Sequence, residues 1–343
     1  MPHGQWQSGV FLSAEGAPVI VVTRRHSSFC VSGMSNLTVM RALGGAFLGL
    51  ALLAAPTPAA AQAGHPPAAA KSADSDVPDV PGDDIFGFTS PTDPGKPGDL
   101  QYFNENDGRV GKRDGSYGAL DSKFAVGYTF AENWWIAGAL FSALNHSGDV
   151  TGLPNVDRFA FDGLSVELLH RVVERSASNP FAVTLDVEPR WGAVDGETGL
   201  PSTSLGSTFK FFTDAVVIPD KLYWGGNLQY TIQNAQDPFN HSQSIPSAQL
   251  LTSMALTWQA SPSLFLGGEV QYFTLASDWT LAHETGRALY LGPTMLWKAT
   301  DAVALNVTFQ PQIYGRSAIS PGMALDLDDF ERALFRAKLV AAF

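Results

Sequence analysis

The C-terminal segment of the chain alternates between apolar and polar positions. One parity holds Ala333, Phe335, Ala337, Leu339, Ala341 and Phe343, and the other holds Arg332, Arg336 and Lys338. Because successive side chains of a β-strand point to opposite faces, one face of this segment is apolar and the other is basic. The pattern predicts a strand that lies between an apolar medium and water.

Similar alternating segments recur upstream, separated by connections of two kinds. Five connections are short, six are longer and polar, and the two kinds alternate along the chain. This order predicts twelve antiparallel strands that begin and end on the side of the short turns. The predicted strands cover residues 99–105, 118–130, 134–144, 157–174, 181–193, 206–217, 222–233, 247–260, 264–274, 286–298, 302–314 and 328–343.

Aromatic residues cluster near the predicted strand ends, as they do where a membrane meets water. Trp191 lies at one end, and the opposite ends, beside the short turns, hold Trp134, Trp135, Tyr223, Trp258, Phe265 and Trp297. Phe181 and Trp191 are ten residues apart, which at about 3.3 Å per residue and a tilt of about 40° corresponds to roughly 25 Å along a membrane normal. That distance matches the apolar band of a transmembrane barrel.

The segment 34–63 has the features of a cleavable export signal. Arg41 precedes an apolar stretch of 13 residues, 43–55, and small residues follow, with Ala61 and Ala63 as candidate cleavage positions. A spanning helix needs about 20 apolar residues, so this stretch is too short to remain in a membrane.

Two further segments flank the signal. Residues 1–33 form a leader of doubtful status, because a second possible start, Met34, stands directly before the signal. Residues 64–97 are rich in Pro, Ala, Gly and Asp, a composition that predicts a disordered linker. The apolar island 85–88 within it is expected to contact the lip of the barrel, with a small plug as the alternative.

Composition removes several classes of function. The only cysteine, Cys30, lies in the doubtful leader, so the remaining chain has no disulfide framework or thiolate metal site. After Ala63 the chain carries 18 Lys and Arg against 32 Asp and Glu, a net charge of −14. Such acidity argues against a nucleic-acid partner.

The strand parity assigns a polar set of side chains to the interior. The candidate lining residues are Asp186, Glu188, Arg190, Lys210, Asp214, Glu269, Gln271, Arg336 and Lys338. The acids are concentrated on the fifth, sixth and ninth predicted strands, and the bases on the twelfth. If these charges pair across the interior, the barrel is a closed structural or enzymatic scaffold. If they line opposite walls, they create a transverse field in a narrow pore, which is the favoured interpretation.

Candidate chemistry is sparse. Two Asn-His-Ser tripeptides, 145–147 and 240–242, contain residue types used by hydrolases, but adjacent strand residues point to opposite faces, so neither forms a triad by itself. Asp326, Asp328 and Asp329, with Glu331 nearby, offer oxygen ligands for a hard cation, although a solvated acidic loop is favoured. The sequence predicts no cofactor and no metal site.

The terminal strand ending in Phe343 and the export signal resemble those of Gram-negative outer-membrane β-barrel proteins. In barrel size and acidic loops the chain is also distantly similar to outer-membrane transporters of aromatic-degradation pathways, from which no residue is carried over. The resemblance implies an all-β, closed antiparallel transmembrane barrel of about twelve strands over residues 98–343, with short periplasmic turns and long outer loops. It also implies residence in the cell outer membrane, contact with membrane lipid and lipopolysaccharide, and insertion by the barrel-assembly machinery through the strand ending in Phe343.

The expected function is passive passage of a small polar or zwitterionic solute, without enzymatic activity. Two alternatives remain open. One is a non-conducting structural or surface-exposed barrel. The other is an outer-membrane lipid hydrolase, because some twelve-stranded outer-membrane barrels belong to that class.

Overall fold

A computed structural model of the chain describes residues 9–12, 18–21, 80–81, 84–176 and 178–342. The chain divides into two units, Met1–Ala60 and Ala61–Phe343. In the first unit, strands β1 (Gly9–Leu12) and β2 (Pro18–Val21) pair antiparallel. They fall in the predicted leader, and the predicted export signal, 34–63, lies outside the described residues.

The second unit contains twelve strands in a closed barrel. They are β3 (Leu100–Val110), β4 (Ser116–Ala131), β5 (Trp134–Gly148), β6 (Val156–Val173), β7 (Phe181–Val194), β8 (Pro201–Ile218), β9 (Leu222–Gln236), β10 (Ser244–Ser261), β11 (Leu264–Ala276), β12 (Glu284–Lys298), β13 (Val303–Ser317) and β14 (Ala333–Ala342). Each strand pairs antiparallel with the next, and β14 pairs with β3 along a seam from Ala333 opposite Val110 to Ala342 opposite Gln101. The predicted all-β, twelve-stranded antiparallel barrel is confirmed.

Three strands differ from the predicted bounds by five residues at one end: β8, which begins at Pro201 rather than at residue 206, and the two strands at the seam. The first runs to Val110 rather than to residue 105, and the last begins at Ala333 rather than at residue 328. Residues 328–331 leave the ladder because the Asp326 carboxylate accepts the backbone N–H groups of Asp328 and Asp329 at 3.2 and 3.1 Å, which holds a turn.

The two ends of the barrel have different connections. At the short-turn end, Asn133 and Asp220 take left-handed φ values of 64° and 56°, a conformation that Asn and Asp tolerate. At the opposite end, called the loop end, five connections have five to seven residues and the connection 318–332 has fifteen. The expectation of long outer loops is therefore correct for that last connection and too generous for the other five, where the strands extend further than predicted.

The wall has an apolar outer face and a polar inner face. On β7, Phe181 and Leu185 are 46% and 48% exposed on the outside, whereas the inward Thr184 and Asp186 are buried. The aromatic belt is only partly as predicted: Trp258 and Trp297 face outward, but Trp135, Tyr223 and Phe265 are buried inside. In the described part of the chain, no helix is long and apolar enough to cross a membrane.

Candidate functional site in the barrel interior

Residues 84–95, called the plug, lie inside the barrel in the half next to the short turns. Ile85 and Phe86 are fully buried and pack with inward residues of the wall, including Tyr223 and Phe265. Gly225 leaves the room for Phe86, since a Cβ there would lie 2.7 Å from its ring. For the described part of the segment 64–97, the predictions of a disordered linker and of a contact with the lip of the barrel are therefore wrong. Its polar groups form hydrogen bonds with the wall of the barrel.

The amide of Asn306 on β13 holds the first turn of the plug. Its Nδ2 donates to the carbonyl oxygen of Asp84 at 2.7 Å and also to that of Phe86. Asp84 itself forms an ion pair with Lys338 on β14. A neutral amide and one charge pair therefore fix the first turn of the plug to β13 and β14.

Two buried acids of the wall bind the rest of the plug. Glu269 accepts the backbone N–H of Phe88 at 2.7 Å and both the N–H and the hydroxyl of Thr89 at 2.5 Å. Asp214 accepts the N–H and hydroxyl of Thr92 at 2.8 and 2.9 Å and pairs with Arg175. Because Asp214 and Glu269 are 0% and 1% exposed, these two predicted solute contacts bind the protein's own plug.

One charge network, called the lysine network, occupies the wall from β4 to β8. Lys123 contacts Glu167 at 2.9 Å and Glu188 at 2.8 Å. Lys210 contacts the same two acids at 2.5 and 2.7 Å and Asp186 at 3.2 Å. Three predicted lining residues, Asp186, Glu188 and Lys210, thus lie in one cluster with two bases and three acids.

A second network, the seam network, joins β14 to β3. The guanidinium of Arg336 binds Asp107 through Nε at 2.6 Å and Nη2 at 2.7 Å, and its Nη2 lies 3.0 Å from Glu105. Lys338 lies 3.5 Å from Glu105, in addition to its pair with Asp84. The two bases predicted for the terminal strand are therefore neutralised by acids of the adjacent strand and of the plug.

The remaining predicted lining residues are placed differently from each other. Arg190 pairs with Asp162 and stacks on the ring of Phe141, with its guanidinium carbon 4.0 Å from the centroid. Gln271 is 1% exposed and has no hydrogen-bond partner for either amide atom among the described residues. All nine predicted side chains lie on the inner face, but they do not form one pathway lining.

The predicted separation of acids and bases onto opposite walls is wrong. Glu105 and Asp107 beside the bases of β14, and Lys123 and Lys210 beside the acids of β6 and β7, neutralise each wall locally. Glu105 and Asp107 were missed because β3 is polar at both parities from Asn104 to Asp107, so alternation gives no signal there. The charge pattern is one of adjacent pairs rather than a transverse field.

Between the two networks lies a cavity of about 450 Å³. Its lining includes Glu188 and Lys210 from one network, Arg336 and Lys338 from the other, and the aromatic ring of Phe103. The ammonium group of Lys338 lies over this ring, with its Nζ 5.2 Å from the Phe103 centroid. The cavity offers anionic, cationic and aromatic groups to a small molecule.

The loop end of the barrel is covered by connections that fold over the opening. Lys112 Nζ contacts Glu197 of the β7–β8 connection at 3.1 Å and Glu331 of the β13–β14 connection at 3.6 Å. Tyr290 of β12 donates to the carbonyl oxygen of Glu331 at 2.8 Å, and Phe330 packs beside it. The mouth is therefore closed by contacts among three connections and one strand.

The acidic group near this mouth contains two converging carboxylates. A Cβ on Gly286 would lie 2.2 Å from Asp326 Oδ2 and 2.5 Å from Asp329 Oδ2, so both oxygens lie over this glycine. Burial, together with the neighbouring Asp326, raises the pKa of Asp329 to about 6, and burial also raises the pKa of Asp326. Among the described residues, no group of three or more His, Cys, Asp or Glu is arranged to hold a metal ion.

The two Asn-His-Ser tripeptides do not bring catalytic side chains together. His146 Nε2 lies 3.2 Å from Ser116 Oγ on β4, while the adjacent Ser147 donates to the carbonyl oxygen of Pro154 at 2.6 Å. In the second tripeptide, Ser242 donates to Asn240 at 2.7 Å within an exposed loop. Each serine is thus engaged locally rather than with its neighbouring histidine.

Comparison with known families gives one match in sequence. The model of a family of unknown function, DUF6662, matches residues 78–343. This range begins just before the plug and includes the whole barrel. No protein among the curated ones matches the chain in sequence.

Solved structures with a similar fold are outer-membrane β-barrels. The COG4313 outer-membrane channel from Pseudomonas putida F1 is 9% identical with a TM-score of 0.52, covering 74% of this chain and 98% of its own. The β domain of the Bordetella autotransporter BrkA is 10% identical, covers 73% and 100%, and has a TM-score of 0.43. The P. putida toluene transporter TodX is 9% identical, covers 75% and 95%, and has a TM-score of 0.37. The chain has the fold of outer-membrane β-barrel proteins.

Proposed function

We propose that this chain, which belongs to the DUF6662 family, is a gated outer-membrane channel that passes a small polar or zwitterionic solute. The single observation that carries the proposal is the cavity of about 450 Å³ between the lysine and seam networks. A barrel built only as a scaffold has no need for an internal space lined by fixed charges of both signs. Twelve strands enclose more room than the eight whose interior side chains can fill.

The membrane placement is supported by the outer face of the wall. Large apolar side chains such as Leu140, Phe209 and Leu228 are 53%, 48% and 45% exposed on it. A closed barrel satisfies its backbone groups without water and can therefore present such a face to lipid. Outer-membrane lipid and lipopolysaccharide are the proposed surroundings, and the barrel-assembly machinery is the proposed partner of the strand that precedes Phe343.

The solute class follows from the local pairing of charge. Lys210 and Glu188, 2.7 Å apart, and Arg336 with Asp107 expose both signs to the same cavity. A zwitterion can bind both members of such a pair at once, so that neither charge of the wall is left unpaired. An ion of one sign can bind only one member and leaves the other without a partner. Small zwitterions and neutral polar molecules are therefore favoured over ions of one sign.

Passage requires the plug to move. The plug fills the short-turn half of the interior with Ile85 and Phe86, both fully buried, and its anchors are hydrogen bonds and ion pairs rather than covalent links. We infer that conduction is intermittent, with the plug leaving Glu269 and Asp214 in the open state. The closed mouth at the loop end requires a second, separate movement.

The test is single-channel conductance of the refolded chain, starting at Gln62 or Gly64, in a planar bilayer. We expect infrequent discrete current steps, which become frequent in a variant that lacks residues 84–95. Silence from both proteins, each shown to be folded by its heat-modifiable migration, would overturn the channel and favour a non-conducting scaffold. Lipid hydrolysis would then be assayed on the same preparation.

Ion selectivity gives a second, independent test of the lining. Replacing Asp186→Asn with Glu188→Gln leaves Lys123 and Lys210 with Glu167 as their remaining acid in the lysine network. We expect the reversal potential to shift toward anions, while the plug contacts stay intact. Unchanged selectivity in an open pore would remove these two acids from the pathway.

A further inference from the structure

The outer face of the barrel carries a groove of about 630 Å³ near the loop end. Its floor is a single row across four strands, in which Ser165, Arg190, Gly206 and Gln233 are direct register partners. The side chains of this row belong to the inward parity, so the floor consists mainly of backbone. The groove therefore runs across the strands rather than along them.

The two rows beside the floor form the walls of the groove. On the side of the loop end, Trp191 pairs with Leu164 and Leu205, and all three face outward. On the other side, Pro189 is opposite Ser207. The compact side chains of Pro189 and Ser207 create the depression, whereas large side chains stand on the opposite wall.

The strand ladder is interrupted beside the groove. The register between β6 and β7 runs from Gly163 to Ser165 and resumes at Leu168, so the positions of Val166 and Glu167 form no bridge. Proline has no N–H to donate, and Pro189 stands opposite Val166 in this register. A proline within a barrel strand weakens the wall, and here it also provides room on the lipid side.

Trp279, from the β11–β12 connection, covers the end of the groove over β9. Its indole Nε1 donates to the carbonyl oxygen of Gln233 at 2.9 Å, and its own carbonyl oxygen accepts the hydroxyl of Tyr230. Tyr230 is on the outward parity of β9, so this connection folds down along the outside of the wall. Two hydrogen bonds thus hold a half-exposed aromatic ring over an apolar recess.

We propose that this groove binds one acyl chain of an outer-leaflet lipid, with Trp279 closing over it. The groove is continuous with the exposed apolar face around it, where Phe161, Leu185 and Phe209 are 50%, 48% and 48% exposed. The charged residue of its lining, Arg190, has an inward side chain that pairs with Asp162. A hydrocarbon chain fits this chemistry, and a charged headgroup does not. The inference rests on the membrane placement proposed above.

The experiment counts lipid retained by the refolded chain. Protein is folded in detergent with dimyristoyl phosphatidylglycerol, excess lipid is removed, and bound lipid is measured by native mass spectrometry. Ser207→Trp fills the groove, and Ala337→Trp is the control, because Ala337 lies on the outward parity of β14, on the opposite side of the barrel from the groove. Trp279→Ala removes the ring that covers the groove, and it replaces Ser207→Trp as the test variant if Ser207→Trp does not fold.

We expect one retained lipid in the wild type and in Ala337→Trp. Occupancy should fall by about tenfold in Ser207→Trp or Trp279→Ala, the loss expected when a few methylenes lose contact with protein. Equal retention in all variants, or no retention in the wild type, would overturn the proposal. Conductance of the same preparations separates this failure from failure of the channel, because the groove variants do not alter the lumen.

Discussion

The two ends of the barrel are closed by different kinds of contact. At the short-turn end, the plug is bound by Glu269 and Asp214, which are buried and accept backbone N–H and hydroxyl groups. At the loop end, the Lys112 pair with Glu331 is buried, but two other ion pairs have an exposed member: Glu197 in its pair with Lys112, and Arg113, 40% exposed, in its pair with Asp328 at 2.6 Å. Buried charge-assisted hydrogen bonds are worth about 1.5–3 kcal/mol, whereas exposed ion pairs are worth about 0–1 kcal/mol.

The difference implies an order of opening. The loop end should open more readily and respond to salt and pH, while the plug should set the overall rate of conduction. Changes to plug anchors should therefore have large effects that do not depend on solution conditions. Changes to the mouth should have small effects on conduction that depend on salt and pH.

The largest effect is expected from the double change Glu269→Gln with Asp214→Asn. It removes both anionic acceptors of the plug, on the order of 5 kcal/mol from several charge-assisted hydrogen bonds. Openings in a planar bilayer should change from rare to predominant. Asp220→Asn, in an exposed turn at the same end, is the control and should behave as wild type. Equal open probability in all three proteins would contradict the role of these anchors.

Phe86→Ala should release the plug by loss of packing alone. Phe86 is fully buried in the cluster with Tyr223 and Phe265, and truncation of a buried phenylalanine costs about 3–5 kcal/mol. We expect increased cleavage of residues 84–95 by an added protease and more frequent openings. Phe309→Ala, on the exposed outer face, should change neither. If Phe86→Ala stays protected, the polar anchors alone hold the plug.

The mouth should respond to pH through Asp329. Its ordinary pKa of 3.8 is raised to about 6 in the closed mouth, so closure favours the protonated form. The stabilisation of the closed mouth therefore grows as the pH falls through about 6, is complete below 3.8 and is lost above about 6. Because Asp329 is partly solvated, the effect is on the order of 1 kcal/mol.

In a plug-released variant, open probability should be lower at pH 5 than at pH 7.5. Asp329→Asn should remove most of this pH dependence, because the amide does not titrate. Asp149→Asn, in an exposed loop at the same end, should keep it. If open probability in Asp329→Asn still depends on pH as strongly as with Asp329 present, another group is responsible for the pH response.

The smallest effect is expected from Arg113→Gln. This removes the ion pair with Asp328, worth about 0.2–1 kcal/mol at low salt. In the plug-released variant, open probability should rise by no more than about fivefold, and the difference from Arg113 should vanish in about 1 M salt, where the Debye length is about 3 Å. A difference that persists at high salt would show that Arg113 acts through packing.

The strands were predictable because alternation is a local property of the sequence. The plug was not, because its anchors join residues far apart in the chain: Thr92 to Asp214 spans 122 positions and Thr89 to Glu269 spans 180. The alternation of side chains along each strand predicted that Asp214 and Glu269 face inward. It could not predict that Thr92 and Thr89 of the plug are their partners. A run of Pro, Asp and Gly is equally compatible with a solvated linker and with a segment whose polar groups are satisfied by a wall.

Local patterns also misplaced some aromatic residues. Trp134 and Trp135 were both assigned to an outer belt, although adjacent strand residues must face opposite sides. Trp135 stacks with Phe103 inside the barrel, with their ring centroids 6.0 Å apart. Glu105 and Asp107 lay in a strand without alternation and became visible only through Arg336 on the neighbouring strand. Charge pairing across a seam depends on which strands become neighbours, and composition along one strand does not contain that information.

The seam between β14 and β3 also fixes the order in which the molecule is completed. The plug precedes β3 by four residues, and its contact from Asp84 to Lys338 spans 254 positions. Contacts of such separation form only after the chain between them has been gathered, which makes them late and slow. A chain that ends before β14 would therefore lack both the strand that closes the barrel and Lys338, the partner of Asp84 at the start of the plug.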